Sequence, residues 1–209
     1  QDLEKGTAFD ETLRALLASE IHEFKHVIFN SDNYANEWVV EAESRGLLSL
    51  RSTMDALPKL VEEKNTALFE NYGVLWHREL ESRYEIFVEQ YFTTVNIEGE
   101  RAQQIAQTMI LPAAVRYLSD LLATAESADD LGMKSEGVLE LATRVNELVD
   151  ALNEKLNELA VQNQELGGDE VVGKAQHMRE NIIPAMTAVR DVVDRLERII
   201  PDDLWPVPT

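Results

Sequence analysis

The chain contains no cysteine. That one absence excludes a disulfide framework, a thiolate metal site and a cysteine nucleophile, and it fits a reducing compartment. Glycine and proline are scarce, 9 and 6 in 209 residues, and cluster at a few breaks, which leaves long stretches free to be helical. No apolar run approaches the roughly 20 residues that span a bilayer, and no charged-then-apolar leader is expected, so the reading is a soluble, unprocessed, cytoplasmic protein. Basic side chains are also in short supply: 19 Lys and Arg stand against 39 Asp and Glu, a formal charge of -20. Such a field repels phosphate backbones and anionic lipid, which argues against nucleic acid and membranes as partners. Hydrophobic residues still make up 44%, so the acidity belongs to a folded surface rather than to a disordered chain.

What is present is helical periodicity. Leu13, Leu16, Leu17, Ile21, Phe24 and Ile28 recur at three and four, predicting an amphipathic helix over about Phe9 to Phe29. Asn30-Ser31-Asp32-Asn33 stops it, and Tyr34 to Arg45 carries a short second helix closed by Gly46. Leu47 to Met54 reads as an irregular connection. Asp55-Ala56-Leu57-Pro58 resembles an N-cap followed by a first-turn proline, opening a third helix that runs to Tyr72-Gly73. From His77 the stripes Leu80, Tyr84, Phe87, Tyr91, Val95 and then Ile105, Met109, Val115, Leu118, Leu122 predict one bent helix or two collinear ones, with Gly99 and Pro112 as kinks.

After a break at Asp129-Asp130-Leu131-Gly132, residues Val138, Val145, Leu152, Leu159 and Leu166 recur every seven, a coiled-coil seam. Gly167-Gly168 turns the chain, and Ala175, Ile182, Val189 and Leu196 form a second seam. Two seams joined by a short turn predict an antiparallel hairpin. The expected fold is therefore all-α. Short helices occupy 1–75, a long antiparallel bundle with a coiled-coil-like hairpin occupies 76–200, and an extended Pro/Trp tail occupies 201–209. Ile110-Leu111-Pro112-Ala113 and Ile182-Ile183-Pro184-Ala185 are alike, which suggests two similarly kinked helices.

Few residues invite chemistry. His22-Glu23-Phe24-Lys25-His26 has the spacing of a zinc-protease helix, with two imidazoles one turn apart, a glutamate to activate water, and Glu37 or Glu41 as a third ligand. No strand pattern is available to hold a substrate beside it, so a solvated helix face is the stronger reading of the two. Asp32, Glu37, Glu41, Glu43 and Glu62-Glu63 could pair for acid–base work, yet so acidic a chain produces such pairs by chance. Gly167-Gly168 lacks the lysine and the preceding strand of a phosphate loop. Tyr84, Phe87, Tyr91 and Phe92 lie at helical spacing and read as core. Trp205, flanked by Pro206 and Pro208, reads as an exposed anchor that docks onto this bundle or onto another part of a larger protein.

Several phrases together resemble type III glutamine synthetase. They are Ile28-Phe29-Asn30-Ser31-Asp32-Asn33-Tyr34, Glu37-Trp38-Val39, Glu41-Ala42-Glu43-Ser44-Arg45-Gly46-Leu47, Asp55-Ala56-Leu57-Pro58, Ser82-Arg83-Tyr84-Glu85-Ile86, Asn96-Ile97-Glu98, Ile183-Pro184-Ala185-Met186 and Asp203-Leu204-Trp205-Pro206. They run in the family's order along nearly the whole chain. The resemblance implies the C-terminal helical region of a glutamate-ammonia ligase that uses ATP and a divalent metal, Mg or Mn. It implies that none of the family's catalytic, metal-binding or nucleotide-binding residues lies in this segment. It also implies packing of residues 1–75 on the catalytic domain, contact with other subunits of a homo-oligomeric ring, interaction residues at Trp38 and Trp205, and a family chain that continues a few residues beyond Thr209. The competing expectations are a small helical zinc hydrolase using His22, Glu23 and His26, and a free-standing helical adaptor. Apolar residues left exposed in the first 75 positions would favour the docking reading over both.

Overall fold

The computed structural model describes residues 8–25, 28, 32 and 34–208. Their only regular structure is helical, and no strand occurs among them. Two compact units divide between Leu50 and Arg51. In the first, α1 spans Phe9–Phe24 and α2 spans Asn36–Ser44. Of the sequence-predicted first helix, Ile28 lies beyond α1 and Phe29 outside the described residues, as do Asn30, Ser31 and Asn33 of the predicted stop.

The second unit opens with α3, Thr53–Leu60. Its cap is Ser52 rather than Asp55: Ser52 Oγ accepts from the Asp55 N–H at 3.1 Å and donates to Asp55 Oδ2 at 2.8 Å. Pro58 therefore falls inside α3 rather than in its first turn, where it removes one ladder bond. The single helix expected to run on to Tyr72 breaks at Val61-Glu62, and α4 resumes at Glu63–Asn71. Met54 on α3 is buried with Val88 and Ala175, and Leu57, Tyr84, Tyr91 and Phe92 pack around them. Asp55 also pairs with Arg179 at 2.7 Å. These contacts place α3 with the bundle, and the second unit starts at Arg51 rather than at residue 76, where the predicted helices become long.

The long stripes form α5, His77–Ile105, and α6, Leu111–Asp130, joined by a π turn at Ala106–Ile110. The same arrangement recurs where α8, Val171–His177, passes through a π turn at Met178–Ile182 into α9, Ile183–Glu197. Both π turns directly precede the Leu-Pro or Ile-Pro step that the sequence repeats. A proline lacks the N–H of the ladder and its ring presses on the carbonyl four residues back, so a locally widened turn accommodates it without breaking the helix. Gly99 is not a kink but a point of close approach. A Cβ there would stand 2.9 Å from Asn163 Oδ1 and 2.9 Å from Ile182 Cγ2.

Between them runs α7, Glu136–Glu165, whose seam residues Val145, Leu148, Leu152, Leu156 and Leu159 are all buried. They share one core with Ile110 and Ala114 on one side and Met178, Ile182, Val189, Val192 and Leu196 on the other. The chain reverses after α7 through Leu166, Gly167 and Gly168, all at positive φ. A buried histidine pins that reversal. His177 Nε2 donates to the Gln162 carbonyl at 2.9 Å, while Nδ1 accepts from the Asn181 amide at 3.1 Å. Beyond α9 the chain turns at once, with Pro201 O accepting from the Leu204 and Trp205 N–H groups at 3.0 and 3.1 Å. Trp205 is thereby folded into the main core, 8% exposed, instead of projecting from an extended tail.

Gly167 and Gly168 should respond differently to alanine. At Gly167 the added Cβ would meet His177 Cβ at 2.5 Å and the Gly173 carbonyl at 2.7 Å, whereas at Gly168 nothing stands within 4 Å. Gly167→Ala is expected to lower unfolding free energy by about 2–3 kcal/mol, and Gly168→Ala by about 1 kcal/mol from its φ alone. Urea titrations of both variants by circular dichroism check this.

Candidate functional site

Exposed apolar surface is concentrated at the N-terminal end. More than half of the large exposed hydrophobics among the described residues lie at or before Trp76, little more than a third of the chain, while only Ala42 and Met54 of that stretch's apolar side chains are buried. Helix α1 has no buried residue at all. Its stripe, Leu13, Leu16, Leu17, Ile21 and Phe24, is 39% to 62% exposed. An amphipathic helix builds such a stripe to be covered, and burying it would contribute about 25 cal/mol for each Å² removed from water. In α2, Trp38 is half-buried with the Arg45 guanidinium 6.0 Å from its ring centroid, and Arg45 is also held by Glu41 at 2.6 Å.

The second unit carries an exposed apolar segment of its own. Leu68, Tyr72, Val74 and Trp76 are between 51% and 77% exposed across the end of α4 and the connection to α5. That connection is fixed by hydrogen bonds. The Trp76 N–H donates to Glu79 at 2.8 Å and the His77 N–H to Glu70 at 2.9 Å, which helps to order the backbone beneath Trp76. The loop thus presents a tyrosine and a tryptophan to solvent on a hydrogen-bonded backbone.

The chemically suggestive residues fare differently. His22 lies exposed in the last turn of α1, and His26 lies outside the described residues. Of the third-ligand candidates, Glu41 is engaged by Arg45. Among the described residues no group of three or more His, Asp or Glu is placed to hold a metal ion. Asp32 accepts the Tyr34 N–H at 2.9 Å, a turn role. Glu62 is paired with Lys59 at 2.5 Å and Lys64 at 3.7 Å, and the hydrogen bond from Lys59 holds its carboxyl below the usual glutamate range; this is a surface ion pair, not an acid–base couple. Tyr84, Tyr91 and Phe92 pack against the smaller core, whereas Phe87 of the same run is 42% exposed. Sequence periodicity missed Ile86 and Ile97, which with Ile105 form an exposed apolar stripe on α5. Its signal was apolar residues out of phase with the buried stripe.

Beside that stripe a groove of about 430 Å³ opens, lined by Thr53, Leu57, Phe87, Tyr91, Thr94 and Glu98. The Tyr91 hydroxyl is buried and makes no hydrogen bond among the described residues. Burial pushes its ionisation above the ordinary phenol range, against the lowering pull of Arg179.

The residues so defined form a candidate docking surface on an all-helical domain. The family model for the glutamine synthetase C-terminal domain matches residues 12–129, and the chain belongs to that family. It is 32% identical over 214 aligned positions to the type-3 glutamine synthetase of Dictyostelium discoideum, covering 98% of this chain and 28% of that protein. A glutamine synthetase of Butyrivibrio fibrisolvens is 26% identical over 207 positions, covering 98% of this chain and 30% of its own length. One from Bacteroides fragilis (strain YCH46) is 27% identical, covering 99% and 29%. The chain thus spans less than a third of the length of these relatives.

Two substitutions separate surface from core. Leu17→Ser should change the stability of the chain by no more than about 0.5 kcal/mol, whereas Leu152→Ala, at 0% exposure, should cost about 3 kcal/mol in denaturant unfolding. Tyr91→Phe removes a buried hydroxyl without a partner and should be neutral or stabilising by up to about 1 kcal/mol. Because the folded-state ionisation of Tyr91 is raised, its neutral form favours folding below about pH 10 and that contribution fades as pH rises through the shifted value. The wild-type chain should therefore lose more stability than Tyr91→Phe above about pH 10 in pH-dependent melting.

Proposed function

We propose that this domain serves a type III glutamine synthetase, a cytoplasmic ligase that joins ammonia to glutamate at the expense of ATP with Mg or Mn, and that its work is to order that enzyme. The apolar face of α1 is the observation that carries this reading. A 16-residue helix with no buried residue and no side-chain cap gains little from its own hydrogen bonds and depends on a partner to be stable. The relatives supply one, since more than two thirds of their length lies outside the matched region. The partner is therefore the catalytic remainder of the same polypeptide, with Trp38 of α2 contributing to the contact and, through it, to association with other subunits of a homo-oligomeric ring. Trp205 acts differently, holding the tail onto the bundle. Among the described residues no three His, Asp or Glu side chains are grouped to hold a metal ion, and the divalent metal of this reading is assigned to the remainder of the enzyme.

The test is reconstitution. A type III synthetase lacking its C-terminal region is mixed with this chain, and glutamine synthesis and particle mass are followed together. Wild-type chain should raise both, and Leu17→Glu should raise neither. No change with the wild-type chain, or equal rescue by Leu17→Glu, would sink the reading.

A further inference from the structure

We propose that the groove between α3 and α5 is a binding site for a small organic cation, a primary alkylammonium carried on an apolar body. Phe87, Gln90, Tyr91, Thr94, Val95 and Glu98 share one face of α5 and make a wall about 16 Å long. Thr53 and Leu57, one turn apart on α3, make the other. Two kinds of surface meet between them. Leu57, Phe87 and Val95 offer a hydrocarbon bed, while the hydroxyls of Thr53 and Thr94, the Gln90 side-chain oxygen and the Glu98 carboxylate can each accept an N–H. The Tyr91 hydroxyl, buried in the same wall with no hydrogen-bond partner among the described residues, is a further acceptor left unmet. At about 430 Å³ the groove has room for a small molecule.

Charge selects the occupant. Glu98 is the one ionised side chain in the lining, it is exposed, and among the described residues no cation pairs with it. The arginines within reach are committed elsewhere. Arg101, one turn further along α5, is hydrogen-bonded to Gln104, and Arg179, whose charge acts on the Tyr91 hydroxyl, is held by Asp55 at 2.7 Å. An anion would meet both Glu98 and the field of a chain at -20, and a metal ion would find no second carboxylate in the lining. An alkylammonium brings three N–H donors to Glu98 and the hydroxyl beside it, and its stem is covered by the apolar bed. The occupant would bridge α3 and α5, a role separate from the docking of α1.

Calorimetry on the 209-residue chain tests this with 2-phenylethylammonium at about neutral pH, where the amine is protonated. A Kd of about 1 mM or tighter is expected for a ligand of this size. The neutral 2-phenylethanol and the anionic 3-phenylpropionate should each bind at least about tenfold more weakly. Glu98→Gln should cost about tenfold or more with helicity unchanged, since Glu98 is exposed, and Phe87→Ala should weaken binding as well. Glu170→Gln removes a carboxylate outside the groove and should leave the affinity as it is. Absence of binding up to about 10 mM, equal binding of 2-phenylethanol, an indifferent Glu98→Gln, or a Glu170→Gln as costly as Glu98→Gln would overturn the proposal. Reconstitution of the synthetase reads α1 instead, so the two can fail separately.

Discussion

The seam of α7 is the constraint that orders the rest. Its buried residues, Val145, Leu148, Leu152, Leu156 and Leu159, fill a core that no single neighbouring helix could close, so α7 needs walls on two sides. The chain supplies them by reversing at each end of α7: through Leu131–Ser135 from α6, and through the positive-φ residues Leu166, Gly167 and Gly168 into α8 and α9. Each wall carries a proline just inside a helix, and each passes through a π turn immediately before it. Because Ala106, Ile110, Met178 and Ile182 of those turns face the same core, the widened turns are packing elements as well as relief for the prolines.

The N-terminal third follows a different economy. Helix α1 has a well-formed apolar stripe and buries none of it, while α3 satisfies its own cap, buries Met54 and is tied to the bundle by the Asp55–Arg179 pair. The chain thus leaves one apolar face open and fixes the loop that leads into α5. Membership of the glutamine synthetase C-terminal family agrees with that, for a domain whose relatives are more than three times its length has something to attach to. The surface charge is consistent with such a role: an acidic exterior keeps wrong contacts apart.

Much of the architecture was legible in the sequence because helices declare themselves locally. The heptads around Val145 and Val189, the glycine turn between them and the repeated Ile-Pro and Leu-Pro steps all depend on neighbours within one or two turns, and the sequence by itself determined them. The amphipathic stripe of α1 was equally plain. Its exposure was not, since periodicity states that a face is apolar and never what covers it.

Tertiary structure alone decided the remainder. Trp205 reads from its prolines as an outward anchor, yet the turn at Pro201 carries it into the core, a result of where α9 ends relative to Ile110 and Leu196 rather than of its own neighbours. Likewise Ser52 rather than Asp55 caps α3, because both types cap well and the choice depends on which backbone N–H lies within reach. Gly99 looks like a kink until Asn163 and Ile182, more than sixty residues away in the chain, close on it. Sequence fixes what depends on separations of three, four and seven residues; which faces meet depends on contacts far apart in the chain, and only the folded molecule selects them.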